Sequence, residues 1–179
     1  GQYYKFDLYT NFTYFLNDPV NGDGIQQSDR RVVYGGDVGW RQTGKVFGID
    51  TIGTAGVQAR VDDIHARLGT QVTRNPLGTT SDSAIQEASY APFLKVEVQP
   101  TPWLRLAGGV RSEVFTFDVR NRCATCSAQS AGRTTSGIVL PKANLILGPW
   151  LNTELFVNYG EGYHSNDARS AVVPGSSPL

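Results

Sequence analysis

His164, Asn166, Asp167 and Arg169 form the densest polar cluster in the chain. An imidazole, an amide, a carboxylate and a guanidinium so close together can grip a polar ligand, or can order the loop that carries them. Both readings stand at this level. Cys123 and Cys126 form a C-x-x-C pair in a stretch rich in Ser, Ala and Gly. A thioredoxin-type redox pair would need a helix N-terminus to lower its thiol pKa, and a zinc site would need a second pair of ligands. His65 and His164, the 2 histidines, lie far apart in the chain, so no metal site is expected. Asn21, Asp23 and Gly24 resemble part of a calcium loop, but Pro19 stands where the first ligand would be and Arg30 where the final acidic ligand would be. No Ser/His/Asp or paired-carboxylate spacing supports catalysis, and neither enzyme activity nor a cofactor is expected.

These residues hang on a framework of alternating strands. From Gln99 to Val119 a short proline turn (Pro100, Thr101, Pro102) leads into a strand with Leu104, Leu106, Gly108 and Val110 on one face and Arg105, Ala107, Gly109 and Arg111 on the other. Period two is the mark of a half-buried strand. A Trp-bearing turn followed by an alternating strand recurs at Gly148 to Tyr159, as an up-and-down sheet requires.

Further strands are expected at Tyr3 to Asn17, Arg31 to Arg41, Thr51 to Asp62, Ala84 to Gln99 and Ile138 to Leu147. In the first, Phe6, Leu8 and Phe12 oppose Lys5, Asp7 and Asn11. Were the apolar face to meet lipid, a one-residue slip would cost about 2–4 kcal/mol for a Lys at mid-bilayer. Pro92 interrupts its strand and predicts a bulge. Asp18 to Asp29, Asp63 to Ser83, Arg120 to Thr135 and the stretch after Gly160 read as long loops. Those near Gly44, Thr101 and Pro149 read as short, so long and short connections alternate strictly.

With 16 basic and 16 acidic residues the chain has no electrostatic pull toward nucleic acid. No run approaches the ~20 apolar residues of a membrane helix, and the mean hydropathy is −0.27. A membrane β-barrel remains open, because alternation halves its apparent hydropathy. The 20 Gly, 8 Phe, 8 Tyr and 3 Trp favour strands and turns. Short turns at one end and long loops at the other is the layout of outer-membrane barrels. Trp40, Trp103 and Trp150 fall beside the short turns, which suits an interfacial belt. The expected fold is all-β: an antiparallel up-and-down meander of about seven strands, an incomplete segment of a large transmembrane β-barrel. The first residues open in mid-strand and the last form a loop, so residues 1–179 are expected to be one piece of such a barrel, with other parts of the protein elsewhere.

Residues 99–119 and 140–169 (LPKANLILGPWLNTELFVNYGEGYHSNDAR) resemble the barrel of a TonB-dependent outer-membrane receptor, and Phe12 to Gly36 is similar to an upstream hairpin of such barrels. The most specific stretch is Asn158 to Arg169, a strand end rising into an extracellular loop. The resemblance implies a barrel of about 22 strands around an N-terminal plug, and active uptake of a scarce small molecule or metal chelate, such as a ferric siderophore, driven through TonB. Plug, TonB-contacting segment and C-terminal strands would lie outside this piece. Expected partners are outer-membrane lipid, the receptor's own plug, TonB and the ligand; the expected location is the bacterial outer membrane. By the same implication, Lys5, Asp7, Asp37, Arg41, Arg60, Lys95, Arg105, Arg111 and Glu113 face the lumen, and His164, Asn166, Asp167 and Arg169 meet ligand. On an oxidising outer surface Cys123 and Cys126 would form a loop-stapling disulfide, with free thiols as the alternative. Two competing functions remain, a soluble or secreted all-β binding module of adhesin or lectin type and a passive porin. The first would bury its apolar faces against one another.

Overall fold

The computed structural model describes every residue except 11–13, 127–130, 164–166, 174 and 176–179. Seven strands form one antiparallel sheet in simple sequence order: β1 (Gln2–Tyr9), β2 (Ile25–Val46), β3 (Ile49–Val72), β4 (Asn75–Thr101), β5 (Leu104–Asn121), β6 (Gly132–Trp150) and β7 (Thr153–Gly160). The sheet curls into a half-barrel, a segment of a larger barrel. A four-residue helix, α1 (Ala168–Ala171), follows β7.

Tight turns set the register. Phe47–Gly48, Thr73–Arg74 and Leu151–Asn152 each place two consecutive residues at positive φ, the type I′ geometry whose twist matches that of the flanking strands. Pro102 and Trp103 make the fourth two-residue turn, between the paired Thr101 and Leu104.

The middle of the sheet is longer than its alternation predicts. Asp63 to Ser83 is not a long loop: β3 and β4 continue as a paired ribbon to the turn at Thr73–Arg74. Strict alternation of long and short connections therefore fails, although this short turn sits at the long-loop end. The first strand, conversely, ends at Tyr9 rather than Asn17, and β2 begins at Ile25, inside the expected loop. Asp18 and Asp23 build the β1–β2 connection by accepting backbone N–H groups: Asp23 from Leu16, Asn17 and Asp18, and Asp18 from Val20 and Asn21. Burial pulls the Asp23 carboxyl upward, but these backbone donors hold it below its ordinary range. The Asn21 backbone and amide do the same for Asp18. The Asp23 carboxylate of the calcium-like motif thus binds its own loop, and the described residues contain no group of three or more potential metal ligands.

Pro92 makes no bulge. Pairing of β4 with β5 lapses at Ala91 and Pro92 and resumes at Phe93 opposite Arg111 in the same register, while Pro92 stays opposite Val57 on β3. The ribbon's irregularities fall at Leu68/Gly69 and Thr70/Gln71 instead. Gly69 sits there of necessity, since a Cβ would come within 2.5 Å of the Gly78 carbonyl oxygen.

The sheet has an unusual polarity. In its lower part the outward residues are apolar and exposed: Val38 and Trp40 on β2, Leu94 and Val96 on β4, Leu106 and Val110 on β5, Leu155 and Val157 on β7. Higher up, the apolar residues turn inward. Ile64, Ile85, Phe117 and Val119 line the concave face and enclose Ala168 and Ala171 of α1, with Phe117 only 2% exposed.

Candidate functional site

The concave face bears a cleft of about 680 Å³ reached by residues of β2, β3, β4 and β5 together with Tyr163. Period-two alternation delivers every second residue of each strand to it. Asp62, 3% exposed, is its anchor. Arg60 donates from Nε at 2.7 Å and Nη2 at 2.9 Å to the two carboxylate oxygens of Asp62, the planar fork that makes Arg–carboxylate pairing directional. Arg31 reaches Asp62 at 3.3 Å and Asp29 at 3.1 Å, and lies over the Tyr4 ring at 5.6 Å. Across the cleft Arg111 bonds Glu113 and, at 2.9 Å, Gln58.

The chain after β7 returns to this wall. Tyr163 packs edge-on against Phe115 with ring centroids 5.2 Å apart, and its hydroxyl hydrogen-bonds Glu113; burial first and this bond second push the phenol up to about 12. Asp167 caps α1 by accepting the Arg169 backbone N–H at 2.8 Å and pairs with the Arg169 guanidinium at 2.7 Å. That guanidinium hydrogen bond holds the Asp167 carboxyl below its ordinary value. Both residues border a second concave cleft with Asp29, Arg31 and Glu87. His164 and Asn166 lie outside the described residues.

Of the expected lumen residues, the register puts Asp37, Arg41, Arg60, Lys95, Arg105, Arg111 and Glu113 on the concave face. Lys95 pairs with Glu97, and Arg105 with Glu154 at 2.8 Å. Lys5 and Asp7 are the correction. They stand opposite Arg30 and Ser28, on the convex face, paired to each other at 3.0 Å. β1 joins only the upper part of β2, where the outer surface is polar, so outward charges cost no transfer into lipid. Alternation alone could not reveal that height. Asp29, Arg31, Asp62, Glu87 and Tyr163 join the site without having been singled out; concave parity flags all but Tyr163.

Trp103 and Trp150 stack at the short-turn end, centroids 6.5 Å apart. Trp40 shares the outer face but stands in a register row with Ala55, Leu94 and Val110, above the turn. Cys123 and Cys126 form a disulfide, and Cys126 Sγ contacts the Thr79 carbonyl at 3.3 Å.

An apolar convex band, a charged concave wall and an up-and-down meander are the outline of a barrel that crosses a membrane with strands. The family model for the TonB dependent receptor-like β-barrel matches residues 1–177. The chain belongs to that family. No curated protein matches it. The chain is thus a segment of an outer-membrane receptor and transporter barrel, its location the bacterial outer membrane. The exposed apolar residues of its lower outer face are what such a barrel presents outward. Among the described residues no helix is long and apolar enough to cross a membrane, which says nothing of the strands.

Proposed function

We propose that this receptor barrel takes up a scarce small molecule or metal chelate, of the ferric siderophore kind, by TonB-driven transport. The observation that carries the reading is the concave wall: Arg31, Arg60 and Arg111, each engaged with carboxylates, border an open cleft over which the segment after β7 folds. Such a wall offers both signs of charge to a polar ligand and to a plug, while the lower part of the opposite face offers apolar contact to lipid. Asp167 and Arg169, with His164 and Asn166 beside them in sequence, are the contacts proposed for ligand at the mouth. Asp37, Arg41, Lys95, Arg105 and Glu113 are the wall proposed to face the plug. Trp103 and Trp150 are proposed to anchor the short-turn interface, with Trp40 on the same face.

Uptake by cells carrying the full-length receptor tests this, with a panel of labelled ferric siderophores, haem, cobalamin and oligosaccharides in strains with and without TonB. Energy-dependent uptake of one of them, lost without TonB, is the expected result. Uptake that persists without TonB would replace the reading with a passive porin.

A further inference from the structure

The ribbon of β3 and β4 outruns its neighbour β5. Pairing with β5 ends at Ser83 opposite Asn121, and one further bond, from the Arg122 N–H to the Asp82 carbonyl at 2.9 Å, closes that ladder. Above this level no strand flanks β4, and an edge left bare is the weak side of a sheet. The ribbon is also irregular there. Leu68 stands opposite Ser81 and Gly69 opposite Thr79, so Thr80 is passed over; Thr70 stands opposite Gly78 and Gln71 opposite Pro76, so Leu77 is passed over. An extra residue in one strand bends it and interrupts the ladder.

Each irregularity is met by a clasp from a neighbouring connection. On the β3 side Gln71, 4% exposed, donates its backbone N–H to the Gly24 carbonyl at 2.9 Å and its side-chain amide to the Thr10 carbonyl at 3.3 Å. On the β4 side the Sγ of Cys126, 7% exposed, lies 3.3 Å from the Thr79 carbonyl oxygen, while Arg67 of β3 donates to the Thr79 hydroxyl. A disulfide sulfur has no proton to donate, so the disulfide acts here by where it holds the sulfur. That position comes from β5. The Asn121 side chain accepts the Cys123 N–H at 3.1 Å and donates to the Cys123 carbonyl at 3.0 Å, and the S–S bond carries this anchorage across to Cys126. The bridged residues are separated by only 3 in sequence, a loop too short to draw much stability from restricting the unfolded chain. Its effect is therefore local.

We infer that the Cys123–Cys126 disulfide is a thiol-released brace. Closed, it ties the end of β5 to the irregular stretch of the ribbon; a low-molecular-weight thiol reaching this end of the barrel opens it and loosens the ribbon above Asp82. The thiolate attacks the half-buried Cys123 sulfur, the S–S bond breaks, and Cys126 leaves as a thiolate that takes up a proton. A second thiol attacks the mixed disulfide, freeing Cys123 and departing as the disulfide of the small molecule, so two electrons pass from two thiols to the protein. What is lost is the covalent tie between the sulfur against Thr79 and the cysteine held by Asn121. The clasp at Gln71 contains no sulfur and stays. The inference goes beyond ligand uptake and does not rest on it.

The test is hydrogen exchange of the full-length receptor in detergent, oxidised, reduced with dithiothreitol, and reoxidised, with alkylation and mass measurement to report the state of the two cysteines. On reduction, amides in peptides spanning 76–83 and 120–126 are expected to exchange about threefold or more faster, as in a modest local opening, with Gln71 unchanged and full recovery on reoxidation. The C123A/C126A receptor should match the reduced wild type and ignore dithiothreitol. Unchanged exchange on reduction, loosening shared equally by Gln71 and the lower strands, or a disulfide that stays closed under dithiothreitol would each overturn the brace. Should the variant fail to show the heat-dependent gel shift of a folded barrel, the reduction and reoxidation cycle of the wild type decides alone. TonB-dependent uptake is a separate readout, so failure here leaves the transport reading intact, and the reverse.

Discussion

The lower and upper parts of β3, β4 and β5 obey the same period-two geometry with opposite chemistry. Below, Val57, Leu94 and Val110 face out while Arg60, Lys95 and Arg111 face in. Above, Ile64, Ile85 and Phe117 face in while Asp63, Gln86 and Asp118 face out. No strand breaks where the change occurs: Asp62 and Asp63 are consecutive, paired residues of β3. Solvent, not backbone, decides which face is greasy. In lipid the outer face must be apolar. Above the lipid both faces meet water, and the sheet regains stability by burying its inner face under α1. The inversion marks the level at which the outer face ceases to suit lipid.

The strongest test of that contrast strikes the upper core. Phe117→Ala is expected to destabilise the folded barrel by about 3–5 kcal/mol, read by equilibrium urea unfolding of the receptor in detergent, and to open residues 161–173 to limited proteolysis. Loss of less than about 1 kcal/mol would mean that the upper inner face is not a packed core. Next comes a matched pair on the outer face. Val110→Arg, within the band, should cost about 2–4 kcal/mol of stability in lipid vesicles, whereas Gln86→Arg, just above it, should stay within about 0.5 kcal/mol. Equal penalties would erase the boundary. A smaller gain is expected at the ribbon tip, where Thr73 and Arg74 both hold positive φ. Replacing them with Asn-Gly should raise stability by up to about 1 kcal/mol, while an unchanged or lowered midpoint would argue against the tight turn. The slightest effect is that of pH on α1. The Asp167 carboxyl is depressed by Arg169 from its ordinary 3.8, so its contribution is complete above that value and is lost as pH falls through the lower folded value. The protection of α1 against hydrogen exchange, taken relative to the intrinsic amide rate at each pH, should therefore be constant from about pH 8 to pH 5 and fall only in strong acid; loss of protection near neutrality would contradict the pairing.

The inversion also explains what could and could not be read from residues alone. The strands of the lower part were legible because Val57, Ala59 and Val61 keep one phase. In β3 the apolar set then moves to Ile64, Ala66 and Leu68, the opposite parity. A search for one continuous phase reads this as lost periodicity, and so Asp63 to Ser83 looked like a loop. The tip compounded the error, for Thr73–Arg74 lacks the Asn-Gly or Asp-Gly pair that announces a type I′ turn. The charged wall was legible wherever strands cross the membrane and misleading at Lys5 and Asp7, since alternation fixes a face but not a height. Tyr163 gave no signal, because a residue beyond the last strand reaches the wall only through the return of the chain.

The paired ribbon beyond the membrane has a mechanical consequence. A flexible loop absorbs a push at its tip, but β3 and β4 are laced by backbone hydrogen bonds from Val72–Asn75 down to the row of Asp62. Force applied at Thr73 is therefore carried as leverage toward the charged wall. The irregular pairings at Leu68/Gly69 and Thr70/Gln71 are where this lever is most compliant, so bending concentrates there and the part below moves as a stiff beam.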